Sequence, residues 1–182
     1  MPNTKEVESS GSKALSQYLR THLDLPDEAL RETMNKGRAQ ARLGCDFELD
    51  YRGRTYYLEL KAFSSPKVPT NIRFTHQTIA SLYEVGLLGQ LIVAIVYNLK
   101  DGPDAACFRF FRLGAVPVTS IYVEPHFLIQ PRAIQSLLQE HVDLALESES
   151  PSMDLESIFD STVRNHMRWS KGPAEQIGPG RG

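Results

Sequence analysis

The chain is poor in cysteine, in long apolar runs and in net charge, and each shortage removes a class of protein. Two cysteines, Cys45 and Cys107, in 182 residues are too few for a disulfide framework, and neither has a CxxC partner. A reducing, cytoplasmic setting is the expectation. No run approaches the roughly 18 apolar residues that a membrane span needs. The longest apolar stretch, Leu91 to Tyr97, has the length and β-branching of a buried strand. Met1 to Lys13 is polar and lacks the apolar centre of a secretory signal. The formal net charge of −2 argues against a uniformly basic nucleic-acid binder. GxxxxGK[ST], GxGxxG and GxSxG are all missing. That leaves no sign of P-loop nucleotide hydrolysis, dinucleotide binding or serine-hydrolase chemistry. His22, His76, His126, His141 and His166 stand far apart with no HxxxH, so a zinc site is not expected. Cys45 has no neighbouring base to make it a nucleophile.

What is present is a globular composition with polarised charge. A hydrophobic fraction of 41% and a charged fraction of 23% place the chain among ordinary folded domains of one core. Nine Lys/Arg against five acids fall between Arg31 and Arg73, whereas seven acids and no Lys/Arg fall between Glu140 and Asp160. Arg38, Arg42, Arg52, Arg54, Lys67 and Arg73 are candidate phosphate contacts. The alternative for the same residues is a solvated charged face.

Residues 1–12 read as disordered, and a core domain is expected over 13–146. Ala14, Leu15, Tyr18 and Leu19 recur at helical spacing within 13–25. Pro26 interrupts that pattern, and a second helix is predicted from Asp27 to Leu43, closed by Gly44. From Cys45 to Tyr51 the chain alternates, with Cys45, Phe47, Leu49 and Tyr51 on one face and Asp46, Glu48 and Asp50 on the other. Arg52-Gly53 turns it, and Thr55 to Phe63 returns with Tyr57, Glu59, Lys61 and Phe63 on a shared face. A β-hairpin is the prediction. After a Pro-containing loop (64–71), a helix is predicted from Thr75 to Leu88. Strands follow over 90–98, 105–113 and 120–129, and a helix over 132–146. Beyond a Ser/Pro linker, Leu155, Ile158, Phe159, Val163 and Met167 repeat at helical spacing. Residues 147–182 are therefore expected to be an acidic linker and an amphipathic helical tail. That stripe, within 153–169, either folds back on the core or docks a partner subunit or second copy.

Asp46, Glu59 and Lys61 carry the chemistry. Two carboxylates converging at the rim of a hairpin suit a hard cation with oxygen ligands, and Mg²⁺ needs only one or two while keeping waters. A lysine one pleat from the second carboxylate suits stabilisation of a phosphate's charge or handling of an attacking water. A surface hairpin with an ordinary Glu/Lys pair is the plain alternative. Glu28 and Glu32 on the expected upstream helix, and Glu48 on Asp46's face, are further ligand candidates or solvated charges. Tyr56 and Tyr57 either pack or stack on bases.

The order Gly44-Cys-Asp-Phe-Glu-Leu-Asp50, a turn, then Tyr57-Leu-Glu-Leu-Lys-Ala62 resembles the PD-(D/E)XK nuclease superfamily, which includes restriction endonucleases and resolvases. Asp46 resembles its lone acid and Glu59-Leu60-Lys61 its ExK element. Cys45 stands where the family's proline is found. In Arg73-Phe-Thr-His-Gln77, Gln77 matches a position that supports the site in several branches. The resemblance covers about 27–129. It implies an α/β, restriction-endonuclease-like mixed sheet flanked by helices, an αβββαβ-type core. It further implies Mg²⁺, with Mn²⁺ as substitute, held by Asp46 and Glu59, and hydrolysis of DNA phosphodiesters with RNA not excluded. A role in a defence or DNA-processing complex is also implied. The alternative is the same fold as a catalytically idle nucleic-acid-binding or scaffolding subunit.

Overall fold

The computed structural model describes residues 3–33, 44–74, 81–82, 85–115, 121–124 and 126–148, with backbone alone at 115 and 121–128. Helix α1 spans Thr4–His22, so the expected disorder of residues 1–12 is corrected. Asn3 caps it in a capping box: its side chain accepts from the Glu6 amide, and Glu6 accepts from the Asn3 amide, both at 2.9 Å. This satisfies two of the amides that every helix start leaves open. Ala14, Leu15 and Leu19 bury its inner face. Gly11 is required for the fit, because a Cβ there would stand 2.6 Å from the Cβ of Ala62.

The helix expected over Asp27–Leu43 is absent from the described part of that range, residues 27–33; residues 34–43 lie outside the described residues. A single 3₁₀ turn, Asp27–Ala29, leads into strand β1, Leu30–Glu32. Antiparallel pairing of β1 with β2 (Phe47–Tyr51), in the register Arg31↔Glu48, outweighs the helical propensity of these residues. Arg31 is fixed across the strands by Glu48 at 3.2 Å and Asp50 at 2.8 Å. The hairpin is as expected, with β3 running Arg54–Ala62 and Phe47 opposite Leu58. Strand β4, Ile72–Phe74, follows the loop. Arg73 therefore lies on a strand, and residues 75–80 of the expected helix lie outside the described residues. Residues 81–82 are helical. Gly86 at φ 72° and the Leu87 amide donating to the Leu82 carbonyl end that turn in the manner of a left-handed C-cap.

Strand β5, Leu91–Tyr97, is buried at every position, as a central strand covered on both faces must be. It pairs parallel with β3 and antiparallel with β6, Cys107–Arg112. The result is a five-stranded mixed sheet, β1-β2-β3-β5-β6. The single strand expected over 120–129 is two, β7 (Ile121–Glu124) and β8 (His126–Ile129), joined with β4 in a second sheet of order β4-β8-β7. The helix expected over 132–146 is likewise divided. Pro131–Leu137 is 3₁₀ with a kink at Ile134, Gln139 bridges to Phe110 at the free edge of β6, and α2 is only Val142–Glu147. Ile134 and Val142 consequently enter opposite cores.

Helix α1 covers one face of the large sheet with Leu15 and Leu19 against Phe47, Leu58, Ile92 and Phe110; α2 adds Val142 and Leu146. Among the described residues the other face is covered by Ile72, Phe74, Leu82, Ile129 and Ile134, from the small sheet and short turns. The expectation of helices on both faces is met on one; on the other, the described residues contribute only the two α-helical positions 81–82. The fold is mixed α/β, and among the described residues no helix is long and apolar enough to cross a membrane.

Candidate active site

Asp46 occupies the point where β2 separates from β3. Gly44, at φ 64°, turns the chain into it. Cys45 and Phe47 then enter opposite cores, which strict alternation forbids; the shared face expected for them is corrected. The break has a visible cause. The Asp46 amide donates to the Leu58 carbonyl at 2.9 Å, but the next ladder donor, the Leu60 amide, goes to Asp46 Oδ2 at 2.7 Å. A side chain takes the place of a backbone acceptor, and the carboxylate lies at the sheet rim. From the other side the Thr33 amide donates to the Asp46 carbonyl at 2.8 Å, and the Thr33 hydroxyl donates to the Cys45 carbonyl.

Glu59 is in the middle of β3 and only 6% exposed. Its Oε1 accepts from Lys61 Nζ at 2.7 Å. Its Oε2 is buried and has no hydrogen-bond partner among the described residues. Two residues apart on a strand, Glu59 and Lys61 share a face, and the Lys61 ammonium stands 5.2 Å from the Phe74 ring centroid. Burial, and next the charge of Glu59, push the Asp46 carboxyl up to about 7; the Leu60 amide and Lys61 oppose the rise. The charge of Glu59 beside Asp46 is relieved by a proton on Asp46 or by a cation between the two. Glu8 on α1 adds to the same field, so the helix brings a third acid toward the site. Sequence reasoning missed Glu8 and Thr33. The Asn3-x-x-Glu6 box was the available signal for the helix that carries Glu8.

The other candidates divide. Glu48 is committed to Arg31, and Glu32 accepts from the Ser12 hydroxyl at 2.5 Å; Glu28 sits in the exposed 3₁₀ turn. Among the described residues no group of three or more His, Cys, Asp or Glu could hold a metal. Burial pushes the Cys45 thiol up to about 12, against nucleophilic use near neutral pH. Tyr56 and Tyr57 are buried, and the Tyr56 hydroxyl donates to the Leu146 carbonyl, so both pack.

Gln77, Arg38, Arg42 and residues 153–169 lie outside the described residues. Arg52 and Arg54 sit at the hairpin turn, about 17 Å from Glu59 by strand rise. Arg52 is paired with Glu147 at 2.5 Å, and Arg54 lies beside the buried Arg112. Lys67 and Arg73 are exposed on the loop and strand that follow β3, and Arg73 adjoins Phe74, which underlies Lys61. His22 and His141, distant in sequence, stack at 5.1 Å, with His22 on Asp143 at 2.9 Å. No family model, no curated protein and no solved structure matches the chain.

Proposed function

We propose that the chain is a metal-dependent nuclease of the PD-(D/E)XK type, with a restriction-endonuclease-like sheet, cutting DNA phosphodiesters at Asp46, Glu59 and Lys61. The observation that carries this reading is the unpartnered, buried Oε2 of Glu59 beside an Asp46 carboxyl pushed up by burial and by Glu59's charge. A buried carboxylate oxygen without a partner is costly, and a divalent cation between the two acids removes that cost. Asp46 and Glu59 would hold Mg²⁺, or Mn²⁺ in its place. The ion supplies a Lewis acid for the phosphate and lowers the pKa of coordinated water.

The protein's own groups do the rest. The Leu60 amide fixes the rotamer of Asp46, and Thr33 fixes its backbone. Glu59 positions the Lys61 ammonium, which neutralises charge developing on the phosphate. Lys67 and Arg73, exposed on the loop and strand that follow β3, would supply phosphate contacts.

A second reading, an idle scaffold of the same fold, is favoured by one observation: Lys61 is already paired with Glu59 at 2.7 Å. Calorimetric titration with Mn²⁺ separates the two. The nuclease reading requires one binding event per chain that is lost in Asp46→Asn, together with loss of oligonucleotide cleavage in that variant. Wild-type protein that neither binds Mn²⁺ nor cuts supports the scaffold.

A further inference from the structure

An open cleft of about 710 Å³ lies apart from Asp46, Glu59 and Lys61, none of which lines it. It is bounded by the loop leaving β3, the start of β6 and the 130–140 segment. Thr70, Asn71, Arg109, Gln130, Arg132 and Gln135 line it. Each is a donor that suits a phosphate oxygen, and two are guanidinium groups.

Sheet register ties this cleft to the catalytic residues. Lys61 pairs with Ile95, and Ile95 pairs with Arg109. The three occupy one row across β3, β5 and β6. Arg109 rests 5.8 Å from the ring centroid of Tyr97, which belongs to the same core face as Ile95 and as Phe74 beneath Lys61. Arg109 thus projects from the Lys61 face, two strand spacings or about 10 Å away. That equals about three nucleotide rises along one strand of nucleic acid.

The charges within the cleft are unequal. Arg109 is only 27% exposed and is held at 2.8 Å by Glu140, which is 69% exposed. Arg109 also donates to the Phe108 carbonyl at 2.7 Å, which fixes its direction. Arg132 is exposed and has no acidic partner among the described residues. One surface carboxylate covers one of two cations, and an ion pair with an exposed partner is weak and displaceable.

We propose that this cleft binds a backbone phosphate of the nucleic-acid strand entering the site, with Arg109 and Arg132 as its cationic arms and Glu140 as a built-in competitor for Arg109. The identity of the strand as substrate rests on the nuclease reading; the cleft's phosphate chemistry does not. Glu140 opens the acidic stretch that runs to Asp160, so the competitor is the first residue of the chain's most negative segment.

The test is anisotropy of a short fluorescent single-stranded DNA bound to the full chain in EDTA, where no cleavage occurs. Arg109→Gln and Arg132→Gln should each weaken binding about tenfold, the size of one charged hydrogen-bonded contact. Each should also lower the salt slope of log affinity by about 0.7. Glu140→Gln should strengthen binding about two- to fivefold. Unchanged affinity in both arginine variants, or weaker binding in Glu140→Gln, overturns the proposal. Arg132 and Glu140 are surface positions, so the test stands even if Arg109→Gln fails to fold. A wild-type enzyme that cuts DNA while the arginine variants bind normally refutes the cleft alone. Arginine-dependent binding without metal-dependent cleavage supports the cleft and refutes the nuclease.

Discussion

Raising the pH of the metal-free protein should destabilise it through Asp46. An acid whose pKa rises from 3.8 to about 7 on folding keeps its proton in the folded chain at pH values where the unfolded chain has released it. The unfolded state then binds fewer protons, and stability falls as pH rises. The contribution is complete below about pH 4 and is lost by the time pH passes about 7. At 1.36 kcal/mol per unit, the shift amounts to about 4 kcal/mol in total, more than half of it between about pH 5 and about pH 7.5. Asp50 and Asp143 are held below the usual range, by Thr55 and Arg31 and by His22 respectively, so their stabilisation is lost only as pH falls below about 4. The Cys45 thiol, pushed up to about 12, acts above about pH 9. Urea unfolding in EDTA at about pH 5 and about pH 7.5 should show the drop in wild type and a smaller one in Asp46→Asn, whose amide mimics the protonated acid. Excess Mg²⁺ should restore the loss at the higher pH, by about 2.7 kcal/mol at a hundredfold over its dissociation constant. An Asp46→Asn variant with the same pH slope as wild type would refute the reasoning.

Lys61→Met should keep Mn²⁺ binding and lose cleavage, because it removes charge at the phosphate without removing a ligand; loss of binding on titration would place Lys61 in the wrong role. Gly11→Ala should lower stability by about 1–2 kcal/mol in urea melts: the clash with Ala62 costs more than the helix gains from losing a glycine, and a more stable variant would contradict that packing. A chain ending at Ser148 should stay folded, since among the described residues both core clusters are built from residues 14–146. Higher cleavage by that shortened chain would mark the acidic segment as a restraint, and loss of its cooperative melt would contradict a self-sufficient core.

The hairpin was legible because its alternation and its Arg52-Gly53 turn are local signals, and the ExK pair was legible with it. Asp46's true setting was not. The side-chain acceptor that takes the Leu60 amide reverses the alternation at Cys45, and no pattern of apolar residues records it. Strand β1 was hidden because Asp27 to Glu32 has helical composition and becomes extended only through its pairing with β2. Helix α1 was half seen: Ala14, Leu15 and Leu19 show the apolar stripe, while its first turns are polar and depend on Asn3 and Glu6. The division of 132–146 arises from the Gln139–Phe110 bridge, a contact between distant segments. Pro125, which cannot donate to a ladder, was the sequence signal that 120–129 is two strands. Arg109 drew no attention in sequence; only the register through Ile95 aligns it with Lys61.

The most direct measurement is conversion of supercoiled plasmid by the purified chain in Mg²⁺, with EDTA and with Glu59→Gln run alongside. The account predicts nicked and linear products with wild type in Mg²⁺, and none in EDTA or with Glu59→Gln, while that variant keeps the wild-type fold by circular dichroism. Intact plasmid with wild type under Mg²⁺ and under Mn²⁺, or cleavage that persists in folded Glu59→Gln, would contradict it.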